Sequence, residues 1–134
     1  MTLLSWNDSL SLGVDAMDAE HKELVAAMNR IHELAGKKAD KATLDVAIQR
    51  LAKLTAKHFA DEEKHMAAIG YPDAKRHGYI HQDMLQKIAA HHEAFQKGDG
   101  TVPKAFFDFL VHWLCAHIKG IDRKYADHGA PTRV

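Results

Sequence analysis

The sequence is poor in several features that would define its class. Among its 134 residues Cys115 is the only cysteine, which excludes an internal disulfide and any Cys-rich zinc or iron–sulfur site. No apolar run approaches the roughly 20 residues that span a bilayer. Basic and acidic residues balance at 18 each, so there is no overall positive field for nucleic acid. We therefore expect a protein that is not membrane-embedded and binds no nucleic acid.

The remaining composition is that of an ordinary folded domain, with one exception. Apolar residues make up 46% and charged residues 27%, so we expect a single domain over residues 1–134. The first residues have neither the basic nor the apolar region of a secretory signal, which favours a cytoplasmic location. The exception is histidine, which occurs 11 times and is dispersed along the chain. This excess is the first indication of function.

The apolar pattern predicts helices and no strands. An extended N-terminal arm covers residues 1–17, and a bundle covers residues 18–128. Asp18 is a good N-cap for the first helix, and Gly70 suits the residue that follows the second. We expect four helices at about 19–36, 41–69, 72–97 and 103–128. Short links between them predict an all-α fold, an up-down-up-down antiparallel four-helix bundle.

Polar side chains interrupt the apolar faces of these helices, at similar heights along the bundle axis. One buried histidine is an ordinary core feature, and a pair four residues apart, such as His77 and His81, arises by chance in so histidine-rich a chain. The bundle topology is stronger evidence than either observation. In an antiparallel bundle, the start of one helix and the end of the next lie at the same end of the bundle. Seven side chains fall within about two turns of one level. They are His21, His58, Glu62, His77, His81, His117 and Asp122.

The number of donors points to two metal ions. Five imidazoles and two carboxylates exceed the coordination of a single ion, but they fit two ions that share both carboxylates and a bridging oxo or hydroxo group. The ion with three histidines is then closed, and the ion with two histidines keeps an open position. Mixed imidazole and carboxylate donors suit iron, with manganese and zinc as the alternatives.

Several motifs of the sequence resemble those of the hemerythrin family, and specifically its single-domain bacterial members. The match runs over nearly the whole chain, and all seven ligand positions of the family are filled. Glu20 departs from the family pattern, in which glutamine commonly precedes this histidine, and so puts the surroundings of the ligands in doubt. The matching segments are Trp6-Asn7, Gly13-Val14-Asp15, 17–21 with Leu24, 58–63 with Met66, Gly70-Tyr71-Pro72, His77, His81, 113–118, Asp122 and Tyr125.

The resemblance implies a role for each ligand. His77, His81 and His117 would hold the closed iron, and His21 and His58 the open iron. Glu62 and Asp122 would bridge the two irons. Dioxygen would bind reversibly at the open iron, in a dry pocket that resembles the family's oxygen pocket. That pocket is lined by Leu24, Phe59, Leu114 and Ile118.

The resemblance leaves four functions open. The first is reversible oxygen binding without enzymatic activity, for storage or for delivery to an oxygen-consuming enzyme, by a monomer. The second is an oxygen or redox sensor that acts through a separate partner. The third is a di-iron enzyme acting on peroxide, nitric oxide or oxygen, which needs a proton donor such as His65 or Tyr125 in the pocket. The fourth, iron storage, lacks the many open carboxylates that it requires.

One ligand pair conflicts with regular helix geometry. His117 and Asp122 are five residues apart, which places them about 140° apart around an α-helix. Gly120 lies between them. Both side chains reach one site only if the helix widens, so we predict a π-type turn at 117–122.

Overall fold

The fold is a bundle of four antiparallel helical rods. The computed structural model describes residues 3–6 and 10–129, with side chains up to residue 126. The described residues contain no β-strand, and the predicted all-α up-down-up-down bundle is confirmed. The first three rods are α1 (Asp15–Gly36), α2 (Lys41–Ala68) and α3 (Ala74–Lys97). The fourth consists of α4 (Lys104–His117), a π-helical segment (Ile118–Asp122) and α5 (Arg123–Gly129).

The N-terminal arm is fixed to α1 by side-chain hydrogen bonds. Asn29 accepts a bond from the backbone N–H of Leu4 at 2.9 Å and donates one to its carbonyl at 2.8 Å. The predicted N-cap, Asp18, is wrong, because α1 begins at Asp15. The carboxylate of Asp18 instead accepts bonds from the N–H of Leu12 at 2.8 Å and the hydroxyl of Ser11 at 2.7 Å. It therefore anchors the arm and does not cap the helix.

A glycine turn reverses the chain between α2 and α3. Gly70 has a φ of 65°, in the left-handed region that favours glycine. The N–H of Gly70 bonds to the carbonyl of Ala67 at 3.2 Å, and the N–H of Tyr71 bonds to that of Met66 at 3.0 Å. These two bonds form a Schellman motif in which Gly70 is the C′ residue, the position that the sequence predicted for it. The turn brings the start of α3 beside the end of α2.

The apolar core runs along the bundle axis and is continuous with the arm. α1 packs against α2 and α4, and α2 packs against α3. Leu10 and Leu12 of the arm join the core, and Trp6 is partly buried against it. No helix in the described part of the chain is both long enough and apolar enough to cross a membrane. The largest buried apolar side chains of the helices include Leu24, Met28, Ile31, Ile48, Leu51, Phe59, Met66, Ile88, Leu110 and Leu114.

The π-helical segment confirms the predicted widening of the fourth rod. It covers Ile118–Asp122 and continues from α4 into α5 without a break in the helical backbone. One wide turn adds a residue between His117 and Asp122, so both side chains lie on the bundle interior. This local irregularity completes the polar cluster described next.

Candidate metal centre

All seven predicted ligands meet at one end of the bundle. α1 contributes His21, α2 contributes His58 and Glu62, and α3 contributes His77 and His81. The fourth rod contributes His117 and Asp122. All seven side chains are buried, with exposures of 0–2%. They form two groups of close donor atoms that both include Glu62 and Asp122.

The first group has three histidines. Oδ1 of Asp122 lies 2.9 Å from Nε2 of His77 and 2.9 Å from Nε2 of His117. Oε1 of Glu62 lies 2.8 Å from Nε2 of His81 and 3.4 Å from Nε2 of His77. One donor atom from each of these five residues lies within 4.8 Å of the others.

The second group has two histidines and uses the other carboxylate oxygens. Nε2 of His21 lies 3.3 Å from Oδ2 of Asp122 and 3.5 Å from Oε2 of Glu62. Nε2 of His58 lies 3.2 Å from the same Oε2. Glu62 therefore turns one oxygen toward the three-histidine group and the other toward His21 and His58. Asp122 turns Oδ1 toward His77 and His117 and Oδ2 toward His21. Each carboxylate divides its oxygens between the two groups, which is the arrangement of a bridging ligand.

The histidines keep both carboxyl groups ionised. Burial by itself raises the pKa of Glu62, but close contacts with the surrounding imidazoles hold it well below its ordinary value. Burial and the charge of Glu62 raise the pKa of Asp122, whereas His117, His21 and His77 lower it to about 2. Both groups are negative at neutral pH and attract cations.

The carboxylates in turn raise the pKa of two histidines. Burial lowers the pKa of His21, but Asp122 and Glu62 raise it to about 9. The same balance raises the pKa of His77 to about 9. Burial lowers the pKa of His81 despite its contact with Glu62. In the metal-free protein, protonated His21 and His77 therefore neutralise buried negative charge that a bound cation would otherwise neutralise.

The bonding geometry of the donor atoms indicates that the cluster is built for metal. Within the described residues, five buried atoms of the cluster lie close to other polar atoms but make no hydrogen bond of regular geometry: Nε2 of His58 and His81, Oε1 of Glu62, and both carboxylate oxygens of Asp122. Nε2 of His77 and of His117 are 3.2 Å apart. Two atoms bound at a right angle to one ion by bonds of about 2.1 Å are about 3 Å apart, so this spacing fits a shared ion.

Tyr125, which the sequence offered as a candidate proton donor, contacts the cluster. Its buried hydroxyl donates a hydrogen bond of 2.8 Å to Oε2 of Glu62. Burial and the nearby carboxylates of Glu62 and Asp122 raise the pKa of Tyr125, so it keeps its proton. The ring of His65 packs edge-on against Tyr125 with centroids 5.5 Å apart. His65 thus supports the tyrosine and is absent from both donor groups.

Glu20 makes a contact that sequence reasoning did not identify. Its Oε1 lies 2.7 Å from Nδ1 of His58, the ring nitrogen that does not face the cluster. Lys57 lies 3.4 Å from Oε2 of Glu20 and 3.0 Å from Oδ2 of Asp61. The only signal in the sequence was the departure from the family's glutamine at this position.

The four apolar residues predicted to line an oxygen pocket are buried, and Phe59 contacts the cluster. Leu24, Phe59, Leu114 and Ile118 have exposures of 0–1%. The ring of Phe59 stacks on the ring of His81, with centroids 3.8 Å apart and planes 3° apart.

Comparison with known proteins agrees with this site. Residues 12–128 match the family described as "Hemerythrin HHE cation binding domain". The chain belongs to the hemerythrin family. It is 32% identical over 127 residues to a bacteriohemerythrin of Stenotrophomonas maltophilia, covering 95% of this chain and 82% of the relative. It is 37% identical over 120 residues to a myohemerythrin of Riftia pachyptila, covering 90% of this chain and 88% of the relative.

The hemerythrin fold is also found by structural comparison. The crystal structure of a hemerythrin mutant superposes with a TM-score of 0.86 and covers 96% of this chain and 98% of its own. Sequence identity in that pair is 24%. The shared feature is therefore the four-helix bundle. Together, the hemerythrin-family match and the buried histidine and carboxylate cluster identify a binuclear metal site.

Proposed function

We propose that this chain binds dioxygen reversibly at two non-haem iron ions joined by Glu62, Asp122 and an oxo or hydroxo group. The observation that carries the proposal is the division of carboxylate oxygens between a three-histidine and a two-histidine group. The two groups differ by one protein donor, so the ion of the smaller group keeps a position for a ligand. Relatives named bacteriohemerythrin and myohemerythrin support this assignment.

The donor set supports iron as the metal. Imidazole nitrogen combined with carboxylate oxygen suits iron, and Cys115, the only thiol, lies outside both donor groups. When bound, the two Fe(II) ions supply the two electrons that dioxygen binding requires and recover them on release. His77, His81 and His117 would hold one ion, and His21 and His58 would hold the other.

Apolar side chains next to the open position make binding reversible. Leu24, Phe59, Leu114 and Ile118 are buried, and Leu24 lies about one helical turn after His21. In the proposed function these side chains exclude water from the open position. Entry of water or of an outside proton would displace the bound ligand and leave oxidised protein. A charged product is also costly in such an apolar region, which favours return to neutral dioxygen.

Tyr125 is the candidate proton donor for the alternative in which the protein is a di-iron enzyme. A di-iron enzyme acting on peroxide, nitric oxide or oxygen needs a proton donor at the open position. Tyr125 is close enough, but its proton is already held by Oε2 of Glu62, and its pKa is raised by burial and two carboxylates. It is therefore a poor acid, and we propose an oxygen carrier or store without enzymatic activity. We further propose that the carrier is a monomer that supplies oxygen-consuming enzymes.

Cycling between argon and air tests this function. The purified protein is loaded with Fe(II) under argon, and its optical spectrum is followed through repeated exposure to air and argon. We expect a visible absorption band that forms in air and disappears under argon over several cycles. A band that decays to a stable oxidised spectrum and does not return to the starting state contradicts the proposal and favours the enzyme or redox-sensor alternative.

A further inference from the structure

Glu20 links the metal centre to the protein surface through His58. The two residues lie on neighbouring helices, α1 and α2, and Nδ1 of His58 lies 2.7 Å from Oε1 of Glu20. The opposite ring nitrogen, Nε2, lies 3.2 Å from Oε2 of Glu62. Since the carboxylate of Glu20 accepts a hydrogen bond, the contact holds the proton on Nδ1 and leaves Nε2 free for a metal.

This contact distinguishes His58 from the other predicted histidine ligands. In the part of the chain that the structure describes, the Nδ1 atoms of the other four histidines are buried and have no hydrogen-bond partner. These four are His21, His77, His81 and His117. The carboxylate contact is therefore confined to the two-histidine group. The two metal positions thus differ in the charge beside their ligands as well as in histidine number.

Charged side chains flank Glu20 on its solvent side. Its side chain is 18% exposed and lies beside Lys57, whose ammonium also contacts Asp61. Lys57 is itself 71% exposed. Glu20 therefore lies at the boundary between the buried centre and solvent, where the exposed Lys57 opposes its charge.

A carboxylate acts on a ligating imidazole differently from an amide. Hydrogen bonds to a charged acceptor are roughly twice as strong as neutral ones. A carboxylate on the second nitrogen fixes the ring and makes it a stronger electron donor to its metal. Added negative charge near a metal also favours the higher oxidation state. The family's glutamine offers the same acceptor atom without the charge.

We propose that Glu20 is a positioning residue that holds His58 for metal binding and lowers the reduction potential of the two-iron centre. This inference rests on the proposed di-iron function. Glu20 would also help to set the driving force for electron transfer to dioxygen, because a lower reduction potential makes the reduced iron centre a better electron donor.

Substitutions at Glu20 separate its charge from its hydrogen bond. Glu20→Gln keeps an acceptor oxygen and removes the charge, whereas Glu20→Ala removes both. Glu23→Gln removes a charge from an exposed position on the same helix and is the matched control. Lys57→Gln leaves Glu20 in place and removes the opposing charge. The measurements are Fe(II) titration of the metal-free protein under argon and spectroelectrochemical titration of the loaded protein, with helix content checked by circular dichroism.

The reduction potential is expected to shift in opposite directions in the Glu20→Gln and Lys57→Gln proteins. Glu20→Gln raises the potential relative to wild type and to Glu23→Gln, and Lys57→Gln lowers it. Glu20→Ala also weakens binding of one of the two Fe(II) ions by about 10- to 100-fold. Equal potentials in wild type, Glu20→Gln and Lys57→Gln overturn the proposal, as does an equal shift in Glu23→Gln.

Wild-type protein in the same series distinguishes the two proposals. If it holds two irons but does not return dioxygen under argon, the proposed function fails while the potentials still decide the role of Glu20. If it returns dioxygen and the potentials do not differ, the role of Glu20 is overturned alone. Failure of wild type to bind iron overturns both.

Discussion

The hydroxyl of Tyr125 donates a 2.8 Å hydrogen bond to Oε2 of Glu62, and both side chains are fully buried. This is the Glu62 oxygen that faces His21 and His58, while Oε1 faces the three-histidine group. The bond therefore restrains rotation of the carboxylate and preserves the division of its oxygens between the two groups.

Removing this hydroxyl tests its contribution to stability. We expect Tyr125→Phe to lower the free energy of unfolding of the metal-free protein by about 1.5–3 kcal/mol, the usual contribution of a hydrogen bond to a charged group. Urea unfolding followed by circular dichroism measures this change. The control is Tyr79→Phe, which alters a tyrosine that is 59% exposed and should leave stability unchanged. Equal stabilities of the two variants contradict the role assigned to Tyr125.

The shared carboxylates predict different metal losses for different substitutions. His58→Ala removes a ligand of one ion, so the loaded protein should retain the ion of the three-histidine group. Glu62→Ala removes a ligand of both ions and should reduce the content of both. Iron per chain after gel filtration measures the difference, and His112→Ala, at an exposed histidine, should retain both ions. Equal iron content in His58→Ala and Glu62→Ala would argue against bridging.

Stability of the metal-free protein should fall as the pH rises from about 6.5 to about 9. His21 and His77 have an ordinary pKa of 6.5 that the folded cluster raises to about 9. Between these values the folded state binds more protons than the unfolded state, so raising the pH favours unfolding. Urea unfolding in a chelating buffer at several pH values checks this expectation.

The matched variant for this pH dependence is His21→Gln. It removes one of the two titrating groups and should reduce the loss of stability over the same interval. A free energy of unfolding that is constant or increases between pH 6.5 and 9 contradicts the assigned charge state of the metal-free cluster.

Substitution of Leu24 separates packing from exclusion of water. Leu24→Ala should destabilise the protein by about 2–5 kcal/mol and also speed irreversible oxidation of the Fe(II)-loaded protein in air. Ile48→Ala is the control, because Ile48 is equally buried but lies ten residues before His58, about 15 Å along α2. It should destabilise the protein without faster oxidation. Equal oxidation rates in the Leu24→Ala and Ile48→Ala proteins would show that Leu24 contributes only to packing.

Much of the fold was predictable because its signals are local. The apolar period of the helices, Gly70 at the α2 end and the short links each constrain a few neighbouring residues, and together they determine the bundle. The π-helical segment was predictable for a different reason. Two polar residues five apart, His117 and Asp122, can lie on one face only if the helix widens.

The remaining features depend on contacts that local patterns do not encode. Asp18 has the residue type of an N-cap, but its carboxylate bonds to Leu12 and Ser11 of the arm, which the helical pattern does not include. The contact of Glu20 with His58 crosses between helices and depends on their relative rotation. The hydroxyl of Tyr125 reaches Glu62 across 63 positions of sequence. The last two contacts form only when the helices pack into the bundle.

The ratio of dioxygen to iron, measured on binding and again on release, tests the central claim most directly. Fe(II)-loaded protein is mixed with a known amount of dissolved oxygen in a closed cell with an oxygen electrode, and the gas is then recovered under argon. The two donor groups predict uptake of one dioxygen for two irons and recovery of nearly all of it. Oxygen that is consumed and not recovered, with the iron left oxidised, would contradict reversible binding at this centre.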